Sequence, residues 1–244
     1  MGGFFTYRNN TPLLLFLIAI VLLLASIWVY NLGNFTWYRL LRGVVVFAFL
    51  PVMLYRYRKP INYLIVTFTV CYGLSSVLTI WYENNVLAIT AMTVNVLGLL
   101  VLLRALVPKV SFKKIGVFLG VGLGLLILIN SYILYEFILM IRDLTLSNVH
   151  YLTILLNCMV LIGLGFCAMV YNHVNSSPAS LTFTLFVFAL IFSEVFRAIA
   201  YYDFELADIA VYLARALLIT AFSLLVHFTT LHKNNRERLA SKVF

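Results

Sequence analysis

Four charged residues that lie inside long apolar runs are the first candidates for chemistry in this sequence. Two are acids, Glu136 and Glu194, and two are bases, Arg197 and Arg215. A charge in the hydrocarbon layer of a membrane costs at least about 2.5 kcal/mol on insertion scales, so such residues are usually paired or functional. Glu194 and Arg197 are three residues apart and share one face of a helix. Because two acids and two bases make a neutral set, we predict that Glu194, Arg197 and Arg215 form one ionic network, with the second glutamate nearby.

Uncharged polar residues on other apolar runs extend this set. They lie at a depth similar to that of the four charges, which predicts a polar cavity that opens toward the external side. Three interpretations remain open: an ion-pair network that only fixes helix register, a ligand or substrate pocket, and an ion or proton path. The polar residues are His150, Thr153 and Asn157 on one face of the sixth run, Tyr72, Ser76 and Thr79 on one face of the third, and Asn95 and Asn130.

The sequence predicts neither a metal site nor a cofactor. The three cysteines, Cys71, Cys158 and Cys167, lie inside apolar runs without the paired spacing of a zinc site or a disulfide framework. The histidines outside the polar set have no metal-ligating residues at suitable spacing. We therefore interpret the cysteines as small core residues.

The apolar runs that carry these residues determine the fold class. Hydrophobic side chains make up 64% of the 244 residues and charged ones 10%, far from the roughly 45–50% and 25% of soluble domains. Eight membrane spans of about 20 residues use roughly 160 positions, which leaves too few for a soluble catalytic, nucleic-acid-binding or disulfide-rich domain. We predict an all-α polytopic membrane helix bundle, with one domain over residues 1–231 and a short basic tail over residues 232–244. The predicted spans are Thr11–Tyr30, Trp37–Tyr55, Ile61–Trp81, Val86–Val107, Ile115–Ile141, Val149–Tyr171, Leu181–Tyr201 and Ile209–Leu231.

The distribution of basic residues predicts the orientation of the bundle. With eight spans both termini lie on one side, which carries twelve basic residues, against three on the other side: Arg39, Arg42 and Arg142. The positive-inside rule then places both termini in the cytoplasm. The net charge of +9 is explained by this orientation, so we expect no nucleic-acid partner. The protein is predicted to be a multi-pass membrane protein, located in the plasma (inner) membrane if the host is bacterial.

A row of glycines on the fifth span predicts a close helix contact. Gly116, Gly120 and Gly124 recur every four residues, and small residues at this spacing let another helix approach closely. We favour packing against a helix of the same subunit over a dimer contact.

Four segments on spans three, seven and eight carry a resemblance to a known membrane family. They are Arg58-Lys59-Pro60-Ile61, Gly73-Leu74-Ser75-Ser76, Ser193-Glu194 and Tyr212-Leu213-Ala214-Arg215-Ala216-Leu217-Leu218-Ile219. With the eight spans and their short loops, these segments resemble the YhhN-like membrane family, whose animal members include lysoplasmalogenases. The family pattern has an aspartate on span three, Ser-Asp on span seven and Tyr-x-x-Ala-Gln on span eight. In this chain the first acid of the third span is Glu83 at its end, Glu194 takes the place of the second aspartate, and Arg215 takes that of the glutamine.

The resemblance implies hydrolysis of a vinyl-ether lysophospholipid, which needs an acid that protonates carbon and a base that activates water. We assign Glu136 as the protonated acid and Glu194 as the ionised partner. Membrane lipids and a lysophospholipid-like ligand are the expected partners. A non-catalytic lipid or small-ligand binder, sensor or complex subunit is the alternative, and a transporter is less favoured. The residues predicted to bind substrate are Arg197, Arg215, Asn157, His150 and Tyr212.

Overall fold

The computed structural model describes residues 11–57, 62–110, 115–202 and 207–240, and within these ranges it contains eight α-helices and no strand. Each helix contains a segment long and apolar enough to cross a membrane. This confirms the predicted all-α bundle and fits a multi-pass membrane protein. The helices are α1 Thr11–Asn31, α2 Phe35–Tyr57, α3 Tyr63–Leu78, α4 Asn85–Leu106, α5 Val117–Ile141, α6 Asn148–Asn175, α7 Pro178–Tyr201 and α8 Ala207–Ala240.

The helix bounds follow the predicted spans to within a few residues at most ends. Short 3₁₀ turns extend α3 over Thr79–Trp81, α4 over Val107–Lys109 and α5 over Arg142–Leu144. The largest difference is at the end of α8, which continues to Ala240, past the predicted span end at Leu231. The backbone of α8 therefore stays helical into the segment that the sequence predicts to be a basic tail.

Polar residues at the helix starts explain where several helices begin. The Asn84 side chain accepts hydrogen bonds from the backbone N–H groups of Val86 and Leu87 at the start of α4. Ser147 does the same for α6, and Ser177 forms a capping box with Ser180 at the start of α7. The first N–H groups of a helix have no partner within the helix, so a side-chain oxygen at this position stabilises the start.

Six of the helices close into a ring. In this ring α2 packs against α3, α3 against α4, α4 against α6, α6 against α7, α7 against α8, and α8 against α2. Outside the ring, α1 lies against α8 and α2, whereas α5 packs mainly against α6. The two peripheral helices therefore present most of their surface to the surroundings of the bundle.

Aromatic rings fill the middle of the ring of helices. Phe68 of α3 stacks on Phe222 of α8, with ring centroids 6.3 Å apart and planes inclined by 4°. Phe186 of α7 meets Phe68 edge-on at 5.9 Å, and Tyr72 lies 5.5 Å from Phe222. Because these side chains come from three helices, this cluster connects α3, α7 and α8 at the core.

One end of the bundle, here named the distal end, contains the turns that follow α1, α3, α5 and α7. Side-chain hydrogen bonds join these turns: Tyr30 donates to Asp208 at 2.9 Å, and Ser147 donates to Asn85 at 2.8 Å. The first residue of α1 and the last of α8 lie at the opposite end. The distal end is therefore the end that the charge distribution predicts to be external.

The glycines differ sharply in how closely they pack. A Cβ atom on Gly43 of α2 would lie 2.5 Å from Cγ2 of Val77, so α2 and α3 approach closely here. By contrast, a Cβ on Gly116 or Gly124 would meet nothing within 4 Å, and one on Gly120 would meet only Ile115 of its own chain segment. The prediction that the α5 glycines pack against a helix of the same subunit is therefore wrong within the described residues. Contact with a second copy stays a prediction.

Candidate functional site

Glu194 of α7 lies at the centre of a buried ionic cluster in the distal half of the bundle. Only 5% of this residue is exposed. Arg197, one turn further along α7, donates from Nη2 to Oε2 of Glu194 at 2.5 Å. Arg42 of α2 and the hydroxyl of Tyr72 of α3 both donate to the other carboxylate oxygen. The carboxylate thus joins three helices, and a carboxylate held by two guanidinium groups has no proton to donate.

Arg42 is a member of the cluster that the sequence reasoning missed. The sequence analysis counts it among the three basic residues of the external side, but it is only 8% exposed. Its guanidinium also donates to the Tyr72 hydroxyl at 2.7 Å and to Oγ of Ser76 at 3.3 Å. The signal was present in the sequence: Arg42 has helical spacing with Val45, Phe49 and Met53, all of which are buried.

Arg215 lies close to the cluster without joining it. The predicted ionic network was correct in pairing Glu194 with Arg197 but wrong in including Arg215. Its guanidinium donates from Nη2 to the backbone oxygen of Tyr38 at 2.7 Å and lies 4.3 Å from the centre of the Tyr38 ring. Within the described part of the chain, its Nε and Nη1 are buried and have no hydrogen-bond partner.

Glu136 does not belong to the cluster. It is exposed on α5, outside the ring of helices, and shares the outer surface of that helix with Tyr132, one turn earlier. The prediction that Glu136 lies near Glu194 and faces the bundle interior is therefore wrong. The physical reason is that α5 packs mainly against α6 through one of its faces, and Glu136 lies outside that face.

The other predicted binding residues form separate polar pairs. Asn157 of α6 accepts a hydrogen bond from Asn95 of α4 at 3.0 Å, and both are buried. His150, at the start of α6, lies 2.8 Å from the Tyr82 hydroxyl through Nε2. Tyr212 donates to Asn31 at 2.9 Å, where α8 meets the end of α1. The structure therefore distributes these three residues over the distal half instead of bringing them together.

A cleft of about 1040 Å³ lies beside the ionic cluster. Apolar side chains of α5, α6, α7 and α8 form most of its wall, and the cluster forms its polar part. Among the predicted site residues, Glu194, Arg197, Arg215 and Asn157 line the cleft, together with Arg42, whereas Glu136, His150 and Tyr212 do not. Examples of the apolar lining are Ile133, Phe137, Leu161, Ile162, Phe192 and Val195.

Ionisable groups in the turns at the distal end have shifted pKa values. Burial acts to raise the pKa of Glu83, but the hydrogen bond and charge of Arg39, with a backbone hydrogen bond, outweigh it and hold this pKa below its ordinary value. The Arg39–Glu83 contact is 2.5 Å. Burial raises the pKa of Tyr82, and it raises that of Tyr202 to about 12. At neutral pH the distal end therefore carries an ionised Glu83 beside Arg39, and the phenols of Tyr82 and Tyr202 are neutral.

Within the described residues, no group of three or more histidine, cysteine, aspartate and glutamate side chains could hold a metal ion.

Comparison of the chain with protein-family models, with curated proteins and with solved structures finds no match. The resemblance to the YhhN-like family stays a prediction.

Proposed function

We propose that this multi-pass membrane protein binds a membrane-derived amphiphile in the cleft and does not react with it. The observation that carries the proposal is the position of the cleft, with apolar walls on one side and the buried ionic cluster on the other. A molecule with one polar end and one apolar chain matches both surfaces at once.

The size and chemistry of the cleft support a ligand of this kind. Binding sites for small molecules commonly measure about 300–1,000 Å³ and are mostly apolar, with a few polar groups that orient the ligand. The cleft lies at the upper end of this range. Its charged residues all lie on α2, α7 and α8, so an amphiphile would place its headgroup there and its chain among α5, α6 and α7.

The arrangement of acids favours binding over hydrolysis. The hydrolase expected from the resemblance needs a protonated carboxylic acid and a second carboxylate in one site. Glu194 is held by two arginines, and Glu136 does not line the cleft. Asp208, the other described acid on the cleft, lies at the distal end and accepts a hydrogen bond from Tyr30. We therefore prefer the non-catalytic alternative.

A neutral photoreactive probe tests the proposal without involving the headgroup. The protein is reconstituted in phosphatidylcholine nanodiscs and labelled with an alkyl alcohol that carries a diazirine in its chain. We expect saturable labelling of α5, α6 and α7 residues that line the cleft, and loss of this labelling when unlabelled dodecanol is added in excess.

Two variants distinguish the cleft from the lipid-facing surface. Ala198→Phe places a large ring in the cleft, whereas Leu185→Phe enlarges an exposed residue of the same helix that does not line it. We expect the first variant to lose the saturable labelling and the second to keep it. Labelling that does not saturate, or that is the same in all three proteins, would overturn the proposal.

A further inference from the structure

The buried side chains of the cleft carry more positive than negative charge. Arg42 and Arg215 are buried, Arg197 is partly buried, and Glu194 is the one buried acid among the described residues that line the cleft. This leaves a formal excess of two positive charges. A buried charge without a counterion is strongly unfavourable, because desolvation is not repaid by an opposite charge. An anion bound at this place would supply the missing countercharge.

The unbalanced charge is most pronounced at Arg215. Arg42 and Arg197 share the carboxylate of Glu194, but Arg215 forms no ion pair with any described residue. It is only 4% exposed and lines the cleft, and two of its three guanidinium nitrogens are buried without a hydrogen-bond partner in the described structure.

The groups around Arg215 leave this charge uncompensated. Tyr38 contributes its backbone oxygen and its ring face, and Tyr72 is the other phenol close enough to interact with the guanidinium. Arg42 is close enough to repel this guanidinium. Arg42 and Arg215 are thus two cations close together beside the cleft, and no described acid forms an ion pair with Arg215.

We infer that the amphiphile carries an oxyanion, a phosphate or a carboxylate, and that Arg215 receives it. This inference rests on the proposed function and names the headgroup of its ligand. A guanidinium presents its N–H groups as a planar fork that matches two oxygens of a phosphate or carboxylate, and such charge-assisted hydrogen bonds are strong. Nε and Nη1 of Arg215 have no hydrogen-bond partner in the described structure and lie on different edges of the guanidinium, so one of them forms the fork together with the N–H of Nη2 that Tyr38 does not use.

A series of amphiphiles with one chain and different headgroups tests the inference by competition with the neutral photoprobe. The competitors are dodecyl phosphate, dodecanoate, dodecanol and dodecyltrimethylammonium. We expect the two anionic compounds to displace the probe at concentrations at least about tenfold lower than dodecanol, which corresponds to one charge-assisted hydrogen bond. The trimethylammonium compound should compete no better than dodecanol. The order of the phosphate and the carboxylate identifies which oxyanion the site prefers.

Arg215→Gln removes the charge and keeps a polar, although shorter, side chain. We expect this variant to lose most of the preference for the anions and to bind dodecanol as the wild type does. Arg104→Gln is the matched control, because Arg104 is exposed on α4 and does not line the cleft. This control should keep the full preference.

A thermal measurement distinguishes anion binding by Arg215 from a purely structural role, because only a binding residue changes the effect of the ligand on the Tm. Dodecyl phosphate should raise the Tm of the wild type and of Arg104→Gln but not that of Arg215→Gln. If Arg215→Gln does not accumulate in a folded form, Arg215→Lys replaces it, and we expect a reduced but measurable preference for the anions because the fork is lost and the charge remains.

The possible failures are distinguishable. Equal competition by all four amphiphiles, with saturable probe labelling, would overturn the inference and leave the proposed function standing. An anion preference that survives unchanged in the folded Arg215 variant, whether Gln or Lys, would overturn the assignment to Arg215. If the neutral probe does not label the cleft saturably, the proposed function itself fails.

Discussion

Glu194 is the residue whose ionisation holds α2, α3 and α7 together in the distal half. Its replacement by glutamine would keep the size of the side chain but leave Arg42 and Arg197 without a countercharge. Removing one partner of a buried ion pair commonly costs about 3–5 kcal/mol. We expect Glu194→Gln to lower the free energy of unfolding by about 3 kcal/mol, measured by thermal or chemical denaturation in detergent. An unchanged stability would contradict this description of the cluster.

The ion pairs predict which double-mutant cycles show coupling. Glu194→Gln combined with Arg42→Met should be less destabilising than the sum of the two single changes, with a coupling of about 1 kcal/mol or more. When Glu194→Gln is combined with Arg215→Met, the two losses of stability should add to within about 0.5 kcal/mol. The reason is that Arg215 contacts Tyr38 and not Glu194. A strong coupling between Glu194 and Arg215 would restore the network that the sequence predicts.

The two glutamates of the predicted catalytic pair should respond differently to substitution. Glu136→Gln is expected to leave the free energy of unfolding unchanged to within about 0.5 kcal/mol, as for most exposed positions. The saturable labelling of the cleft should also be unchanged. Glu136 is exposed and does not line the cleft. Loss of cleft labelling in folded Glu136→Gln would mean that this carboxylate reaches the site.

At the scale of secondary-structure elements, the close contact of α2 with α3 positions Arg42. Gly43→Ala would place a methyl group 2.5 Å from Cγ2 of Val77, with the Val77 backbone nitrogen 3.5 Å away. Such overpacking typically costs about 1–3 kcal/mol. We expect Gly43→Ala to be destabilised by an amount in this range, and the displacement of α2 should also weaken the ion pair of Arg42 with Glu194.

Gly120→Ala on α5 is the matched control for this change. A Cβ there meets only Ile115 at 3.7 Å, so no other helix has to move. Alanine has the better helix propensity, by roughly 0.5–1 kcal/mol. The variant should therefore be as stable as the wild type or slightly more stable. A clear loss of stability would indicate that the glycine face of α5 contacts another copy of the chain.

At the scale of the whole molecule, orientation in the membrane follows from the distribution of charge. The basic residues are concentrated on the side of the termini, so we predict that both termini are cytoplasmic. Reporter fusions at the N-terminus and at the C-terminus would measure this directly. Extracytoplasmic signals from both termini would reverse the predicted orientation and place the cleft in the cytoplasmic half, whereas such a signal from one terminus alone would contradict the even number of spans.

Activity is also a property of the whole molecule, because it needs both carboxylates in one cavity. Purified protein should release no aldehyde from a vinyl-ether lysolipid, since Glu194, the one interior acid among the described residues that line the cleft, is held by two arginines. Aldehyde release by the wild type, abolished in folded Glu194→Gln, would support the hydrolase and overturn the non-catalytic proposal.

The sequence by itself determined the class of the protein and the number of its helices. Long apolar runs with so few charges can satisfy their backbone hydrogen bonds in a membrane only as helices. This is why the eight spans were predicted nearly to the residue at several ends. Spacing along a single helix also paired Glu194 with Arg197 correctly, because residues three apart share a face whatever surrounds the helix.

Only the tertiary structure decided which helices enclose the site. Hydropathy measures how apolar a segment is, but it does not tell whether its polar residues face a neighbouring helix or the lipid. For this reason the sequence predicts Glu136 near the cluster, although it is exposed on α5, and counts Arg42 on the external side, although it is buried. Contacts between residues far apart in the chain, such as Arg42 with Glu194 and Arg215 with Tyr38, depend on how the helices pack, and no local pattern encodes them.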